Sequence, residues 1–232
     1  MATDFPPAHT EQELLERYAA IAYDKQNDLY EVIGDSSWNA DMDAGTISFG
    51  PDLVFPLQVL GTFSHSSETW LWAWANVQSN LPARLLTQAE QLQAYGERHG
   101  IELLTASEFD ATDKDLHLIG IIASGMFGAS GYYLANYGQG TMLVTVKSEL
   151  IDQLPKNDFA RIPHAFPQVI STFEMNHRPA FIHYLTQKGY SVTETADAVS
   201  AAVDFGTLTA TFDHLGRLAN LQGHSTAAPT TE

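Results

Sequence analysis

The sequence predicts an α+β fold in which helices pack on antiparallel β-sheets, with a hint of two similar units. Three observations favour this class. An amphipathic helix opens the chain, the segment Thr69–Asn76 alternates in the manner of a strand, and most later strands follow one another through short turns. Strands joined by short turns pair antiparallel, because a parallel pair needs a long crossover connection.

The first helix is predicted between Thr10 and Gly34. Thr10 and Glu13 have the spacing of a capping box, and Gly34 is a typical C-cap residue. Between them the apolar residues recur at intervals of three and four, which places them on one stripe of the helix. These residues are Leu14, Tyr18, Ile21, Ala22, Leu29, Val32 and Ile33.

Strands are predicted to follow this helix. Trp38–Met42 and Thr46–Phe49 flank a turn at residues 43–45, and Val54–Ser64 with Thr69–Asn76 forms the strongest hairpin in the sequence. The later elements are helices at Pro82–His99, Asp113–Phe127, Phe166–Glu174 and Pro179–Lys188, a hairpin of Tyr132–Tyr137 and Thr141–Lys147, and strands at Tyr190–Glu194, Val199–Phe205, Thr207–Phe212 and Arg217–Gln222.

The domain organisation follows from these elements. Residues 1–150 are predicted to form a helix-plus-sheet domain that contains the hairpin, and residues 151–163 a connector. Residues 164–222 are predicted to form a smaller unit of helices and a β-meander. Residues 223–232 are polar and are predicted to be a disordered tail.

Three tryptophans occupy alternate positions in the hairpin. Trp70, Trp72 and Trp74 share one face of a strand, because side chains alternate across a sheet. With His65–Glu68 as the turn, the predicted cross-strand pairs are Phe63–Trp70, Gly61–Trp72 and Val59–Trp74. The indole of Trp72 would then cover the gap that Gly61 leaves in the sheet.

The tryptophan face has two interpretations. Each indole can bury roughly 150–250 Å², so a folded protein rarely leaves three of them in water, and the face is then a core. The alternative is an aromatic groove that binds a ligand, in which Trp70, Trp72, Trp74 and Asn76 are the candidate ligand-binding residues.

Two pairs of polar residues could support chemistry. His65 and Glu68 lie at the mouth of the hairpin, where a carboxylate could orient a general base, and they are the candidate catalytic residues. The simpler interpretation is a solvated loop pair. Asp41 and Asp43 point the same way on a strand and are weak candidates for a metal site, although aspartate at a turn is favoured for local hydrogen bonds. No metal is expected.

The sequence lacks the motifs of well-marked enzymes. Gly120 and Gly125 have the spacing of a phosphate-binding loop, but Met126 stands where lysine is needed. Gly138 and Gly140 lack the third glycine of a dinucleotide fingerprint. No serine has glycines at the positions of a nucleophile elbow. No cofactor is therefore expected.

Charge and cysteine content limit the partners. The chain has 28 acidic and 11 basic residues, a formal net charge of −17, and no cysteine. This charge repels nucleic acid and anionic membranes, and it suits a basic protein as a partner. The absence of cysteine excludes a disulfide scaffold and suits a cytoplasmic location. No signal peptide is visible, and the uncharged segment Leu116–Ala135 is interpreted as a buried helix running into a strand.

The block Phe55–Asn76, FPLQVLGTFSHSSETWLWAWAN, resembles the signature of an uncharacterised bacterial family of unknown function. In that family a hairpin with a TWLWAWAN core follows an N-terminal helix. The resemblance covers about residues 10–147. It implies the helix and the hairpin, and it implies no activity, cofactor or catalytic residue.

Two functions from different classes remain. The first is a non-catalytic, acidic, cytosolic binding or accessory protein, which fits the charge and the missing motifs. The second is an unmarked hydrolase-type enzyme with a site beside the tryptophan face, which would use Asp41, Asp43, His65 or Glu68. The sequence favours the first.

Overall fold

A computed structural model of the chain describes residues 5–225, and this part contains six α-helices and two antiparallel sheets. The predicted α+β class is confirmed. The contacts divide the chain into two units: unit 1 consists of residues 5–14 and 25–153, and unit 2 of residues 15–24 and 154–225. No helix of the described residues is long and apolar enough to cross a membrane.

The helices and strands have the following bounds. The helices are α1 (Glu11–Ile33), α2 (Thr87–His99), α3 (Asp113–Met126), α4 (Glu149–Asp152), α5 (Asp158–Thr172) and α6 (His177–Gln187). The strands are β1 (Trp38–Asp41), β2 (Thr46–Phe49), β3 (Leu53–Ser64), β4 (Thr69–Trp72), β5 (Glu108–Asp110), β6 (Gly131–Asn136), β7 (Gly140–Val146), β8 (Val192–Glu194), β9 (Ala198–Val203), β10 (Gly206–Phe212) and β11 (Leu218–Ser225).

Helix α1 begins and ends at the predicted residues. The hydroxyl of Thr10 accepts a hydrogen bond from the Glu13 amide at 3.1 Å, and the Glu13 carboxylate accepts one from the amide of His9 at 2.9 Å. Gly34 ends the helix at a positive φ of 53°, which costs glycine little. The predicted stripe is buried at five of its seven positions, which are Leu14, Tyr18, Ala22, Leu29 and Ile33.

The sheet of unit 1 is organised around the long strand β3. Its first four residues pair with β2, its last four pair with β4, and residues 57–64 pair with β7. Strands β1, β5 and β6 extend the sheet from β2, β4 and β7. Helix α2 packs against β3, and helix α3 packs against β6 and β7. The indole N–H of Trp72 in β4 donates to Leu103 in the turn after α2.

The hairpin register is confirmed for two of the three predicted pairs. Phe63 pairs with Trp70 and Gly61 with Trp72, but Val59 pairs with Val144 of β7. Strand β4 ends at Trp72, and an extra residue, Leu60, lies between the paired residues Val59 and Gly61. This bulge turns Val59 and Gly61 to opposite faces, because their partners Val144 and Leu143 are consecutive residues of β7.

The indole that covers Gly61 belongs to Trp70, not to Trp72. A Cβ atom at position 61 would overlap the ring of Trp70 and the carbonyl oxygen of Leu71. Trp70 lies diagonally across the strand pair from Gly61, and its ring fills the gap there. The ring of Trp72, which lies directly opposite Gly61, packs edge-on against the ring of Trp70.

Unit 2 is a four-stranded meander with helices on one face. The strand order is β11-β10-β9-β8, and α5 and α6 contact this sheet. The middle of α1, residues 15–24, belongs to the same unit. Its core includes Val199, Leu208 and Ala210 of the sheet and the rings of Phe166 and Phe181.

The segment predicted as a connector is mostly helical. Helix α5 begins at Asp158, inside the predicted range 151–163, and it contains Pro163 and Pro167. The helix continues through both prolines, with Ile162, Phe166 and Val169 buried on its inner side and with its start capped by Asn157. Strand β11 continues to Ser225, so the first residues of the predicted tail are in a sheet, and residues 226–232 lie outside the described residues.

Candidate functional site

Two of the three hairpin tryptophans lie in the core of unit 1. Trp70 and Trp72 have no exposed surface, and their rings meet edge to face with centroids 5.4 Å apart. The indole N–H of Trp72 donates to the carbonyl of Leu103 at 3.2 Å. Trp74 lies beyond β4 and is half-buried. A ligand could reach Trp70 or Trp72 only by opening the core, whereas Trp74 borders solvent.

The two candidate catalytic residues do not bond to each other in the part of the chain that the structure describes. Nδ1 of His65 donates to the carbonyl of Gly138 at 3.1 Å, and Nε2 shares a hydrogen bond of 2.9 Å with the Thr141 hydroxyl. The two ring nitrogens therefore bind the β3–β4 hairpin to the β6–β7 hairpin, one at its turn and one at Thr141 of β7. Glu68 is exposed, with a positive φ of 53°, and its carbonyl accepts from the amide of Ala111. Within residues 5–225 the ring of His65 therefore bonds to a carbonyl and a hydroxyl and to no carboxylate.

The aspartates shape the turn between β1 and β2. Oδ1 of Asp41 accepts a hydrogen bond from the amide of Ala44 at 2.8 Å, and Gly45 has a positive φ of 75°. Asp43 is exposed, and its carbonyl oxygen accepts from the guanidinium of Arg84. Within residues 5–225 no group of three histidine, aspartate or glutamate side chains could hold a metal ion.

A small apolar pocket opens on unit 1 next to this turn. We name it the methionine pocket; its volume is about 170 Å³ and its walls include Met42, Val59, Thr62, Ala73, Leu81 and Met142. Thr62 and Met142 are cross-strand partners and project from one face of the sheet. Cavities of about 150 Å³ accommodate benzene, so this pocket matches a single apolar side chain in size.

The walls of the methionine pocket come from separate parts of the sequence. Met42 lies in the β1–β2 turn, Val59 in β3 beside the bulge, and Met142 in β7. The remaining wall is the segment after β4, which is fastened by Asn76: its side-chain oxygen accepts from the amide of Ser79 at 3.2 Å. Asn76 therefore contributes to the pocket as a structural cap. Sequence reasoning missed the methionines because no local motif joins them.

A larger concavity of about 290 Å³ lies beside β3 and β7, but its polar groups bond to one another. The side chain of Gln58 accepts from the Gln88 amide at 3.3 Å and donates to the carbonyl of Arg84 at 2.8 Å. Oε1 of Gln88 accepts from the Thr145 hydroxyl at 2.6 Å. Lys147 donates to the Gly128 carbonyl and pairs with Asp152. The methionine pocket is therefore the better candidate despite its smaller size.

Unit 1 also carries most of the negative charge. Its described residues include eighteen acidic and five basic residues, whereas those of unit 2 include eight acidic and six basic residues. Asp41 and Asp43 flank Met42 of the methionine pocket, and Arg84 binds the backbone of the same turn.

A half-buried histidine of unit 1, His117, has a hydrogen bond that accounts for its position. Nδ1 of His117 in α3 lies 2.8 Å from the hydroxyl of Tyr132 in β6. Burial lowers the pKa of His117, against the opposing charge of Asp113, and burial also raises the pKa of Tyr132. The neutral pair is a satisfied polar contact within the packed interface of α3 and the sheet.

Unit 2 contains a buried network of charges. Asp24 of α1 pairs with Arg161 at 2.8 Å and with Lys188 at 2.6 Å, and it accepts from the hydroxyl of Tyr184 at 2.7 Å. Lys188 also lies 2.7 Å from Asp158. Burial raises the pKa of Tyr184, and the charge of Asp24 raises it further. These groups neutralise each other, so the network holds α1, α5 and α6 together.

Comparison with known proteins assigns the chain to a family. Residues 12–148 match the model of a family of unknown function, DUF6882, and the chain belongs to this family. The match covers all but the first residue of α1 and all seven strands of the large sheet. No curated protein matches the chain, and no solved structure matches it.

Proposed function

We propose that the protein is a non-catalytic binding protein whose unit 1 binds a basic partner by taking up one apolar side chain of that partner. The methionine pocket carries the proposal, because it joins an apolar cavity of about 170 Å³ to a strongly acidic unit. The cavity would accept a leucine, methionine or phenylalanine side chain. The surrounding carboxylates would favour lysine or arginine on either side of it.

The hydrogen bonds of the candidate catalytic residues support a binding function over hydrolysis. His65 uses both ring nitrogens to hold the β6–β7 hairpin, and Asp41 caps its own turn. A general base must be able to reach the proton that it abstracts, and a nucleophile must lie beside it. A cytoplasmic location and a bacterial origin are part of the same proposal; the absence of cysteine and the TWLWAWAN string support them.

Three synthetic peptides test the proposal by calorimetry: Lys-Lys-Leu-Lys-Lys, the same peptide with serine for leucine, and Glu-Glu-Leu-Glu-Glu. The leucine peptide with lysines should bind, and its affinity should fall as salt is raised. Replacing leucine with serine should weaken binding by roughly tenfold or more, because the pocket is worth about 1.5–3 kcal/mol for a buried leucine. The glutamate peptide should not bind.

A variant without the two carboxylates beside the methionine pocket tests whether the peptide binds there. Asp41→Asn with Asp43→Asn should weaken binding of the leucine peptide by about threefold or more, because two exposed carboxylates beside the pocket are lost. Glu97→Gln with Glu102→Gln removes the same charge from exposed positions on α2 and the turn that follows it, and it should have a smaller effect. Equal binding of the leucine and serine peptides, or no binding of either, would overturn the proposal.

A further inference from the structure

Strand β11 forms an open edge of the sheet in unit 2. Within the described residues it pairs with β10 alone. Six of its eight residues are exposed, and only Leu218 and Leu221 are half-buried. The amide of Leu218 donates to Nδ1 of His177 at 3.0 Å, so the free edge begins after that residue. An exposed strand edge presents unpaired N–H and C=O groups that can bind another strand.

After its first residue this edge lacks the features that normally protect an edge strand. Residues 218–225, LANLQGHS, contain no proline, lysine, arginine or acidic residue. The one register shift lies at the start, where Phe212 pairs with Leu218. The opposite edge, β8, has three residues and the carboxylate of Glu194, and β5 of unit 1 carries Glu108 and Asp110. Short length and charge both discourage pairing with another chain.

The charge of the chain determines which partner fits this edge. Two copies with a net charge of −17 repel each other, so they can approach closely only through an uncharged surface. Strand β11 is such a surface, and so is the outer face of its sheet, which presents Thr207, Thr209, Ser200 and Gln222. A basic partner would instead be drawn to unit 1.

We propose that β11 pairs antiparallel with β11 of a second copy, which joins two four-stranded sheets into one of eight strands. Antiparallel pairing of a strand with itself satisfies a two-fold axis, the commonest symmetry of soluble homodimers. The pairing would satisfy the free backbone groups of residues 219–225. It would also bury the exposed parts of Leu218 and Leu221 on the helix side.

Sedimentation of the full chain tests the dimer. The wild type should show a concentration-dependent dimer. Asn220→Glu with Gln222→Glu should raise the dissociation constant at least about tenfold, because it places four carboxylates at the two-fold contact. Both side chains are exposed on the outer face, so the variant should fold. Ser191→Glu with Thr193→Glu adds the same charge at the opposite edge and should leave the dimer intact.

Cysteine cross-linking gives an independent test, because the chain has no native cysteine. Single substitutions Asn220→Cys, Leu221→Cys, Gln222→Cys and Gly223→Cys should produce disulfide-linked dimers at the one or two positions nearest the axis, and Thr193→Cys should not. A wild type that remains monomeric up to about 500 µM would overturn the proposal. The proposal would also be overturned if the Asn220→Glu, Gln222→Glu variant still formed the dimer and none of the four β11 cysteine variants formed a disulfide-linked dimer.

Discussion

Lys188 is a buried cation held between two carboxylates. Its side chain is 5% exposed, and its Nζ lies 2.6 Å from Asp24 and 2.7 Å from Asp158. Its charge also lies 5.3 Å from the ring centre of Tyr184. Burying a charge requires such compensation, because transfer out of water costs several kcal/mol for each ion. Removal of the lysine leaves two buried carboxylates with Arg161 as their remaining cation in the network.

Replacing this lysine should destabilise the protein strongly. Lys188→Met keeps the length of the side chain and removes its charge, and we expect a loss of about 3–5 kcal/mol in the free energy of unfolding. Urea denaturation measures it. Arg217→Met is the matched control, since the side chain of Arg217 is 62% exposed and pairs with Asp213 at 2.9 Å, and its loss should cost at most about 1 kcal/mol. Equal losses for the two variants would show that the buried network contributes no more than a surface pair.

Strand β3 shows what one extra residue does to an element. The bulge at Leu60 puts Val59 and Gly61 on opposite faces of β3, so that Gly61 contacts the ring of Trp70 while the side chain of Val59 points to the other face; both residues border the methionine pocket. Without the bulge, Val59 and Gly61 would share a face. The core and the pocket therefore depend on the same irregularity.

The contact between Gly61 and Trp70 should not tolerate a methyl group. In Gly61→Ala the new Cβ would overlap the indole of Trp70 and the carbonyl of Leu71, and a backbone carbonyl in a sheet cannot move aside. We expect a loss of about 1–3 kcal/mol by thermal or urea unfolding. Thr62→Ala, at the half-exposed neighbour, should cost less than about 1 kcal/mol. A stable Gly61→Ala protein would mean that the indole can shift.

Local patterns predicted the elements of unit 1 well. The caps of α1, the pairing of Phe63 with Trp70 and the helix before Gly100 all depend on residues close in sequence. The bulge was missed because its residues, Val59 and Leu60, are ordinary strand formers. Helix α5 was missed in part because its prolines resemble helix breakers, whereas tertiary packing overrides that preference.

The candidate site could not be predicted from sequence. The methionine pocket takes Met42 and Met142 from positions one hundred residues apart, and the pairing of Asp24 with Lys188 spans 164 residues. Contacts between residues so far apart in sequence produce no local pattern from which they could be predicted. The predicted pairs His65–Glu68 and Asp41–Asp43 were close in sequence. In the structure His65 bonds to Gly138 and Thr141 of the β6–β7 hairpin, and Asp41 caps the turn between β1 and β2.

At the scale of the whole molecule, net charge should limit stability. Screening shortens the range of repulsion among carboxylates from about 30 Å in 10 mM salt to about 8 Å in 150 mM salt. Adding NaCl over this range should therefore raise the midpoint of thermal unfolding, since the chain carries −17. The variant Glu97→Gln with Glu102→Gln should gain less from the same salt. A midpoint that falls with salt would show that attractive pairs dominate instead.

The two ends of helix α1 belong to unit 1 and its middle belongs to unit 2, which limits how the protein can be divided into fragments. The match to the family ends at residue 148, yet it includes Leu15–Asp24, which pack within unit 2. A fragment trimmed to residues 12–148 would keep Asp24 while discarding Arg161 and Lys188. Its middle turns would expose apolar side chains and a carboxylate without its cations. Soluble expression of such a fragment should therefore fail where the longer chain succeeds.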